Sequence, residues 1–153
     1  MTKARHLLFV VTLFFASSQA FQQTNKDTQT VVGADKYNAF ISFVDHKTLE
    51  KEIKDIKSMS LVPIALGVKD NIDIEGLPNT AGSIALQNNK PKKNASLTKH
   101  LKSGGYYIVG KTNLSEWANF RSTKSVSGWS SLGGQTVNPY GVNRNPCGSS
   151  SGS

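Results

Sequence analysis

The 153-residue chain carries 18 Lys and Arg against 10 Asp and Glu, a formal charge of +8, with 37% hydrophobic residues. That composition excludes an intrinsically disordered chain and fits one domain of ordinary size. Its basic residues are scattered, with "KPKK" at 90–93 the one cluster and no interleaved aromatic stripe, so no nucleic-acid partner is expected and the charge reads as solubility.

Residues 1–20 have the pattern of a secretory signal peptide: basic Lys3 and Arg5, the apolar run "LLFVVTLFFA", then "SSQA" with small residues at Ser18 and Ala20. Ten apolar residues are too few to cross a bilayer, which takes about 20. The expectation is cleavage after Ala20, export to the periplasm or beyond, and no membrane attachment afterwards. Residues 21–36 are a polar leader, and residues 37–153 form the folded part. Only one cysteine is present, Cys147, so no internal disulfide can form and the fold must rest on core burial.

Within "NAFISFVDHKTLEKEIKDIKSM", Phe40, Phe43, Leu49, Ile53 and Ile56 fall near helical spacing, and the stretch 47–59 is the predicted helix. "LVPIALGV" (61–68) is an apolar run of strand length, and "GLPNTAGS" (76–83) is loop by its Gly, Pro and Asn content. "SLTKHLKSGG" (96–105) predicts a short helix capped by Ser96 and stopped by Gly104–Gly105. "YYIVG" (106–110) is a second buried strand. "TNLSEWANFRS" predicts a further helix, with Asn113 as N-cap and Glu116 at capping-box spacing. From Ser122 onward Ser, Gly, Asn and Pro dominate, so this last third reads as loop. The order helix, strand, loop, helix, strand, helix argues for an α/β layer architecture.

Lys69 follows the first apolar strand at its carboxyl end, where ligands gather in α/β sheets. A lysine deprived of water there loses its charge more readily and becomes a general base; the plainer alternative has it pointing into solvent beside Asp70. "GSSSG" at 148–152 fits G-x-S-x-G with Ser150 in the middle, but no apolar strand leads into it. No Walker or dinucleotide fingerprint is present, so no cofactor is expected. After the predicted cleavage, two His and one Cys remain without paired spacing, which gives no metal site. Pairing Cys147 with His46 or His100 as a thiol protease has no local support. "NAS" (94–96) and "NLS" (113–115) match the glycosylation triplet, a common chance match.

In order, "GVKDNIDIEGLPNTAGS" (67–83), "GKTNLSEWANFRST" (110–123) and "SGWSSLGGQTVNPYGVNRNPCGSSSGS" (127–153) resemble the blocks of the amidase signature family. The "GGQTVNPY…NPCGSSSGS" form is most similar to the branch that includes bacterial peptide amidases. The resemblance covers residues 37–153 and implies the N-terminal portion of a longer α/β/α domain, a mixed sheet covered by helices. It implies hydrolysis of a carboxamide C–N bond in a small-molecule or peptide substrate, through an acyl-enzyme and a Ser–Ser–Lys triad. The family's lysine falls on Lys69, and its bridging serine, which follows a cis peptide bond, falls on Ser149. The family's nucleophilic serine lies further on in a D-x-G-G-S segment, which this sequence does not contain; "SLGGQT" (131–136) has no Ser after its glycines. Trp129, Asn113 and the 125–131 loop are candidates for a substrate wall, although core and turn roles are the simpler reading.

This sequence departs from the family's pattern in places. Cys147 and Ser151 replace glycines of the serine core, as in the peptide-amidase branch, and the polar leader stands where the family has an amphipathic helix. The chain is expected to be inactive alone and to expose apolar faces. The alternative is a degenerate, non-catalytic exported remnant or binding protein. Coding sequence beyond codon 153 would separate the two.

Overall fold

The apolar run that opens "YYIVGKT" builds the centre of the molecule. In the computed structural model, which describes residues 35–120 and 123–153, this stretch is strand β3 (Tyr106–Thr112), flanked by β1 (Phe40–Phe43) and β2 (Ile64–Lys69) in the order β1-β3-β2. β1 runs antiparallel to β3 and β2 runs parallel to it, so the sheet is mixed. Helix α1 (His46–Ser58) links β1 to β2, and helix α2 (Ser96–Ser103) lies in the crossover from β2 to β3. Such a crossover is what a parallel strand pair requires. The expected signal peptide and all but the last two residues of the leader lie outside the described residues.

Successive side chains of β3 point to opposite faces. Tyr107 and Val109 pack with Leu49, Ile53 and Ile56 of α1, while Tyr106 and Ile108 join Leu66, Val68 and Ile74, with Leu101 of α2. The core is thus two small clusters divided by one sheet.

α1 matches the expected 47–59 within a residue at each end, and Asp45 caps it by accepting from Thr48 N at 3.0 Å and Thr48 Oγ1 at 2.6 Å. β2 starts later than expected, after Pro63, and runs on to include Lys69. β3 also runs on, through Lys111 and Thr112. Gly105, at φ +86, stops α2 in a left-handed turn that costs a glycine little.

Four expectations need correction. Phe40 and Phe43, grouped with the helical spacing, belong to a strand and stack on each other with ring centroids 4.7 Å apart; four residues are too few for a period to show. Ser96 does not cap α2, because it is already the first helical residue and Ala95 holds the cap position. The helix expected after Asn113 does not form. Trp117, Ala118 and Asn119 take left-handed dihedrals (φ 52, 54 and 67), and only a short 3-10 turn, Glu116–Asn119, appears. Both supposed capping groups are committed elsewhere: the Asn113 amide lies inside the fold, and Glu116 accepts from Ser131 N at 2.7 Å. Finally, the last third is not wholly loop, since Trp129–Ser130 (β4) and Gly134–Gln135 (β5) form a small antiparallel pair.

Candidate active site

Two parallel strand ends meet the terminal serine loop here. Lys69 closes β2 and pairs in register with Thr112 of β3. Its side chain is half-buried, and Nζ donates to Ser149 Oγ at 2.8 Å across 80 residues of sequence. Burial pushes the Lys69 ammonium below the ordinary lysine value. The two residues singled out from the sequence are therefore brought together, and the solvent-facing alternative for Lys69 does not hold.

Asp70 turns the other way and is fully buried. Its Oδ2 accepts from Thr80 N (2.9 Å), Thr80 Oγ1 (2.5 Å) and Gly82 N (3.2 Å). Its Oδ1 makes no hydrogen bond and lies 3.7 Å from the ammonium of Lys111, a residue with no solvent exposure. Lys111 Nζ donates to three backbone carbonyls, those of Asp70 (3.0 Å), Ile72 (3.0 Å) and Pro78 (2.8 Å). All three of its protons are thereby used on carbonyls of the 70–78 segment that follows Lys69. Burial lowers the Lys111 value, and the Asp70 carboxylate works against that shift. Sequence reading overlooked this lysine; an otherwise apolar strand running into "GKTN" is the one signal it offered.

The serine loop is docked on the continuation of β3. Ser115 N donates to Ser149 O at 3.1 Å, and Gly152 N donates to Asn113 O at 2.9 Å. Gly152 sits so close to Ala39 O and Asn113 N that no Cβ would fit. Thr112 Oγ1 lies 3.1 Å from Ser153 Oγ. Asn113 Nδ2 donates to Gly134 O (3.1 Å) and Thr136 Oγ1 (3.0 Å), and its Oδ1 accepts from Ser130 Oγ at 2.8 Å. Asn113 is thus a buried strut and no substrate wall. That burial also denies a glycan access to the "NLS" triplet in the folded chain. Trp129 is 44% exposed, and its loop reaches the serine segment through Ser127 Oγ, which donates to Gly148 O at 2.8 Å.

No cis peptide bond occurs among the described residues, so the expected cis link before Ser149 is absent. Cys147 (φ 65) and Gly148 (φ 60) make the bend with trans bonds. Ser150, the centre of the G-x-S-x-G match, is exposed and preceded by no strand. Cys147 is a free, exposed thiol.

A half-buried amine with its shift toward neutrality, touching one hydroxyl, can accept a proton from that hydroxyl. Comparison with known proteins places the chain in a family. The Amidase family model matches residues 16–153. A probable amidase of Arabidopsis thaliana is 45% identical over 105 residues, 65% of this chain and 20% of the relative. One component of the glutamyl-tRNA(Gln) amidotransferase of Methanosarcina barkeri is 38% identical over 125 residues, 80% of this chain and 25% of that protein. Among solved structures, native peptide amidase of Stenotrophomonas maltophilia superposes with a TM-score of 0.71 at 40% identity, covering 88% of this chain and 28% of the enzyme. An amidase family protein of Bacillus anthracis gives 0.75 at 28% identity, covering 92% and 32%. The chain spans a fifth to a quarter of the length of these curated relatives.

Proposed function

The chain belongs to the amidase family, and from that premise we propose that Lys69 and Ser149 are the proton-accepting end of a Ser–Ser–Lys relay for amide hydrolysis. The observation that carries this reading is the 2.8 Å contact between Lys69 Nζ and Ser149 Oγ. In the relay the neutral amine of Lys69 accepts the Ser149 hydroxyl proton as Ser149 accepts the proton of a second, attacking serine. That serine's oxygen bonds the amide carbon. The C–N bond then breaks, and the relay returns a proton to the leaving ammonia or amine. Water hydrolyses the resulting ester by the same path and releases the acid. A base-competent lysine needs a dry setting and no carboxylate partner; the occupation of Asp70 by Lys111, Thr80 and Gly82 meets the second need.

Residues 1–153 contain no D-x-G-G-S segment, so this chain alone supplies the relay without the attacking serine and is expected to release no ammonia from amides. The substrate class proposed is a small or peptide carboxamide, the kind of compound named by the peptide amidase relative. Export by the residue 1–20 signal belongs to the same reading, and N-terminal sequencing of the secreted protein would begin at Phe21 if it holds.

The test is a chimera in which residues 37–153 replace the matching segment of the Stenotrophomonas maltophilia enzyme. Peptide-amide hydrolysis is expected, and Lys69→Ala or Ser149→Ala should each lower kcat by about a hundredfold or more. Undiminished turnover in either variant would remove the relay.

A further inference from the structure

We infer that Ser115 is a positioning residue for the Lys69–Ser149 pair, a role that rests on the relay proposed above. Ser115 has no solvent exposure, and no step of the chemistry consumes its hydroxyl. Its N–H donates to Ser149 O at 3.1 Å, and its Oγ donates to Gly148 O at 3.1 Å. The same Oγ accepts from Gly128 N at 2.8 Å. One side chain therefore grips the carbonyl just before Ser149, while its own backbone grips the carbonyl just after. With both peptide planes held, the direction of the Ser149 Cα–Cβ bond is set.

The anchor shares a reference frame with the base. Ser115 lies three residues beyond Thr112, the register partner of Lys69. Proton transfer needs the heavy atoms within about 2.6–3.2 Å, and a rotated 148–149 peptide would carry Ser149 Oγ out of that range. The hydrogen-bond partners of Ser115 are backbone amides and carbonyls, and the carboxylate of its neighbour Glu116 accepts from Ser131 N at 2.7 Å. Asp70, the acid beside Lys69 in sequence, is occupied by Thr80, Gly82 and Lys111. Loosening the serine loop lets water reach the Lys69 ammonium, and that rehydration raises its value by more than loss of the Ser149 hydroxyl acceptor lowers it.

The experiment is trace acetylation of the 153-residue chain with acetic anhydride across a pH series, read lysine by lysine by mass spectrometry. In the wild type, Lys69 should become reactive at lower pH than exposed Lys99. In Ser115→Ala its midpoint should rise toward that of Lys99 by at least about half a pH unit, while Lys111 stays protected. Thr98→Ala is the control, since it deletes another buried hydroxyl, one that donates to Asp73 O at 2.9 Å, away from the serine loop. It should leave Lys69 unmoved. An unshifted Lys69 in Ser115→Ala, or an equal shift in Thr98→Ala, overturns the inference. Should Ser115→Ala not fold, Ser127→Ala removes the other hydroxyl on Gly148 O from a half-exposed site, and it must move Lys69 in the same direction or the inference fails. A wild-type Lys69 that already follows Lys99 overturns the relay itself, and with it the role of Ser115.

Discussion

Lys69 and Lys111 stand on adjacent parallel strands, one residue out of register, since Lys111 pairs with Val68 and Lys69 with Thr112. Their surroundings differ in kind. Lys111 is fully enclosed, yet every ammonium proton has a carbonyl and the Asp70 carboxylate lies at 3.7 Å. Lys69 is less enclosed, but it has a single hydroxyl for a partner. What decides whether a lysine holds a charge is what replaces the lost water, and depth alone does not decide it. Lys111 rivets the segment after β2 through three carbonyls and Asp70, while Lys69 keeps an amine whose one hydrogen-bond partner is a hydroxyl, the setting the proposed base requires.

This contrast can be broken from the Lys111 side first. Lys111→Met leaves a buried carboxylate and three carbonyls without their cation, so unfolding in urea should be easier by roughly 3–5 kcal/mol. A change below about 1 kcal/mol, on the scale of an exposed pair, would show that the rivet does not exist. Lys69→Ala in the chimera comes next, with its loss of about a hundredfold in kcat, roughly 2.7 kcal/mol of barrier. Asp70→Asn should cost less than Lys111→Met, on the order of 1–2 kcal/mol, because the three carbonyls still hold the ammonium.

The smallest effect sharpens the comparison most. Lys69→Met removes a poorly compensated amine and should change stability by less than about 1 kcal/mol, against the large loss at Lys111. Its pH dependence carries a sign. Because the folded Lys69 value is lowered, the unfolded chain binds more protons between the folded value and the ordinary one. The penalty of charging Lys69 in the fold is therefore present at low pH and fades as pH rises from the folded value to the ordinary one. Wild type should gain stability relative to Lys69→Met across that alkaline window, and a flat or falling difference would reverse the assignment.

Much of this was legible in residue order. β2 and β3 were visible as apolar runs, α1 as spacing, and the family as ordered blocks around Lys69 and Ser149. What stayed hidden depends on contacts far apart in sequence. Asn113 and Glu116 carry a convincing local capping pattern, yet Asn113 bonds to Gly134 and Thr136 and Glu116 bonds to Ser131 N. Tertiary demand overrode local preference there. Lys111 went unremarked, because a sequence shows the charge and conceals the carbonyls that surround it. The bend before Ser149 likewise followed the particular dihedrals of Cys147 and Gly148 and not the family's cis bond.

The proposed relay requires Lys69 to become neutral more readily than a solvated lysine while it faces Ser149. The most direct measurement is a site-resolved NMR titration of the Lys69 side chain in the 153-residue protein, assigned with Lys69→Met. The Lys69 midpoint should lie clearly below that of the exposed lysines and move upward toward them when Ser149 is replaced by Gly and water enters. A Lys69 midpoint that coincides with the exposed lysines, indifferent to residue 149, would contradict the relay.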